Sequence, residues 1–225
     1  MELPPPQTIL AIAIVIFFAI GLHEYAHAKF ADVAGDPTPR YYGRVTLNLT
    51  KHFDPIGTLM IIFTSLTGFG IGWGKPVPMD PRKMRNPRWD HFAAVAAGPI
   101  SNILQATVYA LILRLLLRSD SELLQAGSGF IGQLLLYGVM INLALCFFNL
   151  IPLGPLDGHW LAGSFMPEPV QIRWYMFNRT YGTFLLLGLV LLGQMGQGRS
   201  LLSMIIGPPI NATFRFLTGI PMPIY

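Results

Sequence analysis

Long apolar runs dominate the chain, and they predict helices that cross a membrane. A helix needs about 20 apolar residues to cross about 30 Å of hydrocarbon. The first, third and fourth runs are long enough, whereas the last two are short and predict either two tilted spans or a hairpin. The runs fall near residues 8–30, 55–73, 92–117, 128–150, 181–195 and 201–218. We therefore predict an all-α, polytopic integral membrane protein.

One short stretch alternates instead. In YYGRVTLNLT, residues 41–50, the apolar positions Val45, Leu47 and Leu49 are separated by polar residues. A period of two is typical of a half-exposed β-strand. We expect a short strand at the membrane surface, which would either pair with an extended peptide or only brace the loop.

Composition agrees with the membrane assignment. Of the 225 residues, 52% are hydrophobic and 12% are charged, about half the charged fraction usual in soluble domains. The net charge of +4 comes from short clusters, so nucleic acid is not an expected partner. The single cysteine, Cys146, lies in an apolar run and predicts no disulfide framework.

Domain organisation is predicted to be simple. We find no internal repeat and no linker to a soluble domain, so residues 1–225 form one membrane-embedded domain. The first apolar run leads into a polar pattern rather than a small-residue cleavage site, which predicts a retained span. We place a catalytic core at about residues 8–165 and variable C-terminal helices at about residues 170–220.

Three ionisable residues, His23, Glu24 and His27, form the pattern H-E-x-x-H at the end of the first apolar run. On a helix this spacing places both imidazoles on one face, where they can bind zinc, with the glutamate beside them as a proton acceptor. A zinc ion with an open position can lower the pKa of its water to about 7. The alternative is a histidine pair satisfied by hydrogen bonds inside a bundle. An intramembrane location favours the functional interpretation.

A third metal ligand is expected from the stretch FNLIPLGPLDGHW, residues 148–160. Its prolines and glycines must interrupt any helix that reaches Asp157, and broken helix is tolerated in a membrane only inside protein or beside a wet cavity. Asp157 could instead cap a helical turn that begins at Gly158. Three histidines are weaker candidates for the ligand role: His52, His91 and His159.

The directions of the membrane spans can be predicted from the requirement that these candidate ligands meet at one site. If the first helix and the helix over 128–150 both run toward one side, the helix over 92–117 runs away from it. Segment 55–73 then begins and ends on the same side, which predicts a re-entrant segment, although its hydropathy alone would permit a full span. Basic residues flank that segment on both ends, and the positive-inside rule makes both flanks cytoplasmic. They are Lys29, Arg40, Arg44, Lys51, Lys75, Arg82, Lys83, Arg85 and Arg88.

Three motifs, HEYAH, AAGPISN (residues 96–102) and NLIPLGPLDG (residues 149–158), resemble those of the site-2 protease family of intramembrane zinc metalloproteases. Together with GWGKPVP, and without PDZ or CBS sequence, the chain is similar to the compact branch of that family. The resemblance implies a three-helix catalytic core and cleavage of transmembrane protein substrates within the bilayer. It also implies one zinc ion per chain, and roles for five residues. His23, His27 and Asp157 would hold the metal, Glu24 would be the catalytic acid and base, and Asn149 would hold the substrate backbone or steady the oxyanion.

Two other functions fit an apolar chain with these residues. A membrane metal-ion transporter would need further polar residues along several spans, and the spans of this chain contain only a few. A non-catalytic membrane chaperone on the same scaffold would be expected to lack Glu24. We expect the protein in a prokaryotic plasma membrane with its basic loops in the cytoplasm.

Overall fold

Helices account for nearly all the regular structure in a computed structural model of the chain, which describes residues 4–60, 74–118, 129–195 and 201–223. Within these ranges the only β-type pairing is an isolated antiparallel bridge between Phe53 and Gly74. Residues 55–60 are also helical. The α-helices described from end to end are α1 (Pro6–Val33), α2 (Thr38–Tyr41), α3 (Trp89–Arg118), α4 (Phe130–Asn149), α5 (Asp157–Ser164), α6 (Glu168–Phe177), α7 (Thr183–Met195) and α8 (Leu201–Thr218).

Within the described part of the chain, four helical stretches are long and apolar enough to cross a membrane. They are α1, α3, α4 and the continuous stretch Glu168–Leu192, which includes a π-helical turn at Asn178–Gly182. The first three match the predicted spans. The fourth begins well before the predicted run at 181–195, because a helix start at Pro167 and Glu168 precedes the apolar residues. The chain is therefore a helical membrane protein.

Contacts between α1 and α3 show that these two helices are antiparallel. His27, near the end of α1, contacts the carbonyl of Ala94 near the start of α3. Asn102, eight residues later in α3, contacts the carbonyl of Ala19, eight residues earlier in α1. This confirms the predicted opposite directions of the two spans.

The third span, α4, is antiparallel to α3 and hence parallel to α1. Asn102 contacts Asn142, and the ring of Tyr109 packs directly on Gly138. The predicted order of directions along the chain is therefore confirmed for all three spans.

The predicted strand over 41–50 is wrong. Leu49 is 8% exposed but Leu47 is 67% exposed, so the apolar residues do not share a face. Thr46 and Asn48 use their side chains for local hydrogen bonds, with Thr46 Oγ1 accepting from Asn48 N and Asn48 Oδ1 accepting from Thr50. Such side chains offer the backbone an alternative to a ladder. The chain forms turns there, followed by a 3₁₀ turn at Leu49–His52.

The segment predicted to be re-entrant has its two ends side by side. Phe53 forms the bridge with Gly74, and Lys75 N donates to the carbonyl of His52. Residues 61–73, on which the re-entrant prediction depends, lie outside the described residues.

The last helix, α8, covers the α3–α4 pair. Ile210 and Phe214 pack against small and branched residues of the two spans, and these form one buried cluster. Small side chains allow two helices in a membrane to approach closely. The residues of the two spans in this cluster are Ala106, Ala110, Val139 and Leu143.

Candidate metal centre

His23 and His27 lie one turn apart on α1, and both side chains are buried. The two Nε2 atoms are 3.0 Å apart, with the rings nearly perpendicular. The opposite nitrogen of each ring is already engaged, since His23 Nδ1 lies 2.7 Å from Asn102 Oδ1 and His27 Nδ1 lies 2.9 Å from the Ala94 carbonyl. Both rings therefore turn Nε2 toward the same point.

Asp157 reaches this point from the break between α4 and α5. Its Oδ2 is 3.2 Å from Nε2 of His23, and its Oδ1 is 3.4 Å from Nε2 of His27. The capping alternative is wrong, because α5 begins at Asp157 itself, Leu156 is its N-cap, and no side chain caps that end. The carboxylate is turned toward the imidazoles instead.

The three side chains fit a zinc ion. Tetrahedral zinc with bonds of about 2.0–2.2 Å to nitrogen and oxygen places its ligand atoms about 3.3 Å apart. The two Nε2 atoms are 3.0 Å apart, and the nearest carboxylate oxygen lies 3.2 Å from one and 3.4 Å from the other, all close to that length. Asp157 Oδ2 is also buried without a hydrogen-bond partner, which is costly unless a cation lies nearby. Two imidazoles and one carboxylate with a remaining open position form a ligand set typical of catalytic zinc.

Two glycines make room for this arrangement; sequence reasoning named Gly158 only in connection with the broken helix and did not single out Gly98. A Cβ on Gly98 of α3 would lie 2.4 Å from the His27 ring and 2.7 Å from the His23 ring. A Cβ on Gly158 would lie 2.3 Å from the carbonyl of Leu150. The first glycine admits the imidazoles between α1 and α3, and the second lets α5 start against the end of α4.

Glu24 lies next to Gly74, where the chain pairs with Phe53. A Cβ on Gly74 would lie 3.3 Å from Glu24 Oε1, so this glycine leaves room for the carboxylate. Arg44 is buried nearby, donates to the Lys75 carbonyl and attracts the Glu24 charge. Sequence reasoning placed Arg44 on the polar side of a strand and missed this position.

The other candidate residues have different surroundings. Asn149 ends α4, and its amide donates to the Leu145 carbonyl of the same helix, 2.9 Å away. Among the described residues, no other set of at least three His, Cys, Asp or Glu side chains comes close enough to share a metal ion. His52 contacts the Thr46 carbonyl, His91 packs on Trp160, and His159 contacts the Leu156 carbonyl.

Electrostatics favours a charged Asp157 and a neutral His52. Burial alone would raise the pKa of the Asp157 carboxyl, but the neighbouring His27 and His23 outweigh it and hold that pKa well below its usual range. Burial lowers the pKa of His52, and the charge of Arg44 lowers it further. Zinc binding requires this carboxylate to be ionised and both imidazoles to be neutral.

The fold and this cluster define a class: a helical membrane protein with a candidate metal site between its spans. The chain is 36% identical, over 164 residues, to a protein of Bacillus subtilis (strain 168) named "Putative zinc metalloprotease YwhC". The matched region is 73% of this chain and 72% of that protein. No protein-family model and no solved structure matches the chain. The chain belongs to the same family of zinc metalloproteases as the Bacillus protein.

Proposed function

We propose that the protein is an intramembrane zinc metalloprotease of the site-2 type that cleaves peptide bonds in or near transmembrane segments of other membrane proteins. The observation that carries the proposal is the convergence of two imidazoles from a membrane span with Asp157 from a broken helix. The family relationship supports the zinc chemistry. The apolar spans support a bilayer as the setting, and we propose a prokaryotic plasma membrane.

The depth of the cluster supports cleavage within the membrane. At a rise of 1.5 Å per residue, His23 lies about 15 Å and His27 about 9 Å before the C-terminal end of α1. The helix itself is about 42 Å long, more than the hydrocarbon thickness of about 30 Å. Both histidines therefore lie within the length of a helix that can span the bilayer, as the proposed cleavage of transmembrane segments requires.

Each side chain has a defined task in the proposed reaction. His23, His27 and Asp157 would hold the metal, which when bound polarises the scissile carbonyl and acidifies a water molecule. Glu24 would accept the proton of the attacking water and return it to the leaving amine. Asn149 would hold the substrate backbone or donate to the negative oxygen that develops on the carbonyl.

The Glu24→Gln variant tests this assignment. The amide keeps the size of the side chain but cannot accept the proton, and a positioned acid–base group is worth about 100-fold to 10,000-fold in rate. We expect zinc at one ion per chain in the variant, and cleavage of a reconstituted single-span substrate reduced by at least about 100-fold. Cleavage is measured by gel densitometry in proteoliposomes, and zinc by mass spectrometry.

Glu168→Gln is the matched control, because Glu168 is exposed at the start of α6. This variant is expected to cleave at the wild-type rate. Undiminished cleavage by Glu24→Gln would overturn the catalytic assignment. Zinc flux across the vesicle membrane without any cleavage by the wild-type protein would support the transporter instead.

A further inference from the structure

Three polar side chains from three different spans form a buried cluster behind the metal centre. They are His23 of α1, Asn102 of α3 and Asn142 of α4, and both asparagines are 0% exposed. Polar groups at membrane depth are costly unless they are hydrogen-bonded. Every polar contact in this cluster has a defined direction, and the directions can be followed from one residue to the next.

Asn142 has its amide orientation set by its own helix. Its Nδ2 donates to the carbonyl of Gly138, 2.8 Å away. A backbone carbonyl can only accept, so the nitrogen must be on that side. The side-chain oxygen of Asn142 therefore faces α3.

Asn102 has its orientation set in turn by two acceptors. Its Nδ2 donates to Asn142 Oδ1 at 2.9 Å and to the Ala19 carbonyl at 3.2 Å, which uses both amide hydrogens. Rotating the amide would place its oxygen against these two acceptors. The side-chain oxygen of Asn102 is consequently left facing His23, 2.7 Å from Nδ1.

We propose that Asn102 and Asn142 form an amide relay that holds the proton of His23 on Nδ1 and so keeps the lone pair of Nε2 aimed at the metal. An amide oxygen cannot donate, so the hydrogen in the contact with His23 belongs to the imidazole. Asn102 and Asn142 are positioning residues, and Asn142 acts without touching His23. The inference rests on the proposed function in that it takes His23 as a metal ligand.

The two histidines are held by different means. His27 donates to a backbone carbonyl, Ala94, which no side-chain substitution removes. His23 depends on the side chains of two other spans. Partners of this kind fix the tautomer of a metal-binding histidine, and losing one typically costs 10-fold to 100-fold in metal affinity.

The test compares Asn102→Leu, Asn142→Leu and Asn142→Asp in the full chain. Asn102→Leu removes the acceptor for His23, and Asn142→Leu leaves Asn102 with only the Ala19 carbonyl to orient it. A neutral carboxylic acid at position 142 can donate to Gly138 and accept from Asn102, as the native amide does. Thr8→Val is the matched control, since it removes an interhelical hydrogen bond from Thr8 to Gln133, between α1 and α4, away from the cluster.

Two quantities are measured. Histidine-ring ¹⁵N NMR on the metal-free protein reports which nitrogen of His23 carries the proton, with the signal assigned by its loss in His23→Gln. Zinc affinity is measured by competition with a chelating dye. We expect the Kd for zinc to rise about 100-fold in Asn102→Leu and about 10-fold in Asn142→Leu. In both variants, a larger fraction of His23 than in the wild type should carry its proton on Nε2. Asn142→Asp and Thr8→Val are expected to retain the wild-type tautomer and Kd.

Wild-type tautomer and Kd in both leucine variants would overturn the relay and leave the asparagines as contacts that only hold the helices together. Failure of the proposed function gives a different result. A wild-type protein that cleaves no substrate, while the variants show these shifts in tautomer and zinc affinity, would support the relay and reject the proteolytic role.

Discussion

At the scale of single residues, the proposed metal centre depends as much on missing side chains as on the ligands. Gly98 of α3 lies against both imidazoles, and their Nδ1 atoms are held by Asn102 and Ala94. Because the rings are fixed from behind, they cannot move aside for a larger neighbour. A single methyl group at position 98 would therefore disturb two ligands at once.

Gly98→Ala tests this dependence. Its Cβ would lie 2.4 Å from His27 Cε1 and Nε2, so we expect zinc affinity to fall at least about 10-fold. Gly188→Ala is the control, because nothing lies within 4 Å of a Cβ there in α7. The control should bind zinc normally and gain up to about 1 kcal/mol from better helix propensity. Equal zinc affinity in the two variants would contradict the close packing of Gly98 on the histidines.

At the scale of elements, the C-terminal helices support the loop that carries Asp157. Asn178, in the π-helical turn between α6 and α7, accepts from Gly154 N at 2.7 Å. Gly182 packs directly on the backbone of Gly154, where a Cβ would lie 2.8 Å from two backbone atoms. The wider turn brings both residues against the loop. The fourth span thus helps position a residue that it does not contain.

The Gly182→Ala variant tests whether this contact positions the loop that carries Asp157. Backbone atoms cannot rotate away as a side chain can, so the added methyl group should displace the loop and Asp157 with it. We expect weaker zinc binding, while the His23 tautomer in the metal-free protein stays unchanged. The measurements are dye competition and histidine-ring NMR, and Gly207→Ala, with open space around its Cβ, is the control. A shifted His23 tautomer would argue against a local effect on the loop.

The helices also show which parts of the fold and of the candidate site could be predicted from the sequence alone. The spans α1, α3 and α4 were predictable because uninterrupted apolar length is a property of the sequence. Asp157 was predictable as a candidate because prolines and glycines around it preclude continuous helix. The amide relay could not be predicted from the sequence, because Asn102 and Asn142 come into contact only when two spans pack together. The strand near Val45 was mispredicted because alternation is local, and the polar side chains there bond to their own turn.

At the scale of the whole molecule, apolar side chains form much of the outer surface, as a protein in lipid requires. The end of α1 and the start of α3 lie on one side, since Arg85 donates to the Val33 carbonyl. Nine of the 15 Lys and Arg residues lie in the stretch from Lys29 to Arg88 that joins these two ends, and we predict that this side faces the cytoplasm. Exposed apolar side chains on the spans include Leu104, Leu115, Phe184 and Leu192.

Cysteine labelling tests this orientation. Tyr41, 82% exposed between α1 and α3, is replaced by cysteine, and Arg118, exposed at the far end of α3, is replaced in a second variant. The native Cys146 is buried and gives the background. A membrane-impermeant maleimide should label Tyr41→Cys only in inverted vesicles and Arg118→Cys only in right-side-out cells. The reverse pattern would place the basic loops outside the cytoplasm.

The division of the proposed metal ligands along the chain has a consequence for biosynthesis. His23 and His27 belong to the first span, whereas Asp157 follows the third. A nascent chain therefore carries both imidazoles into the bilayer while the carboxylate is still to be translated. The ribosome must complete α3 and α4 before an ion can find all three proposed donors, so an unfinished polypeptide cannot assemble the proposed hydrolytic centre in the translocation channel.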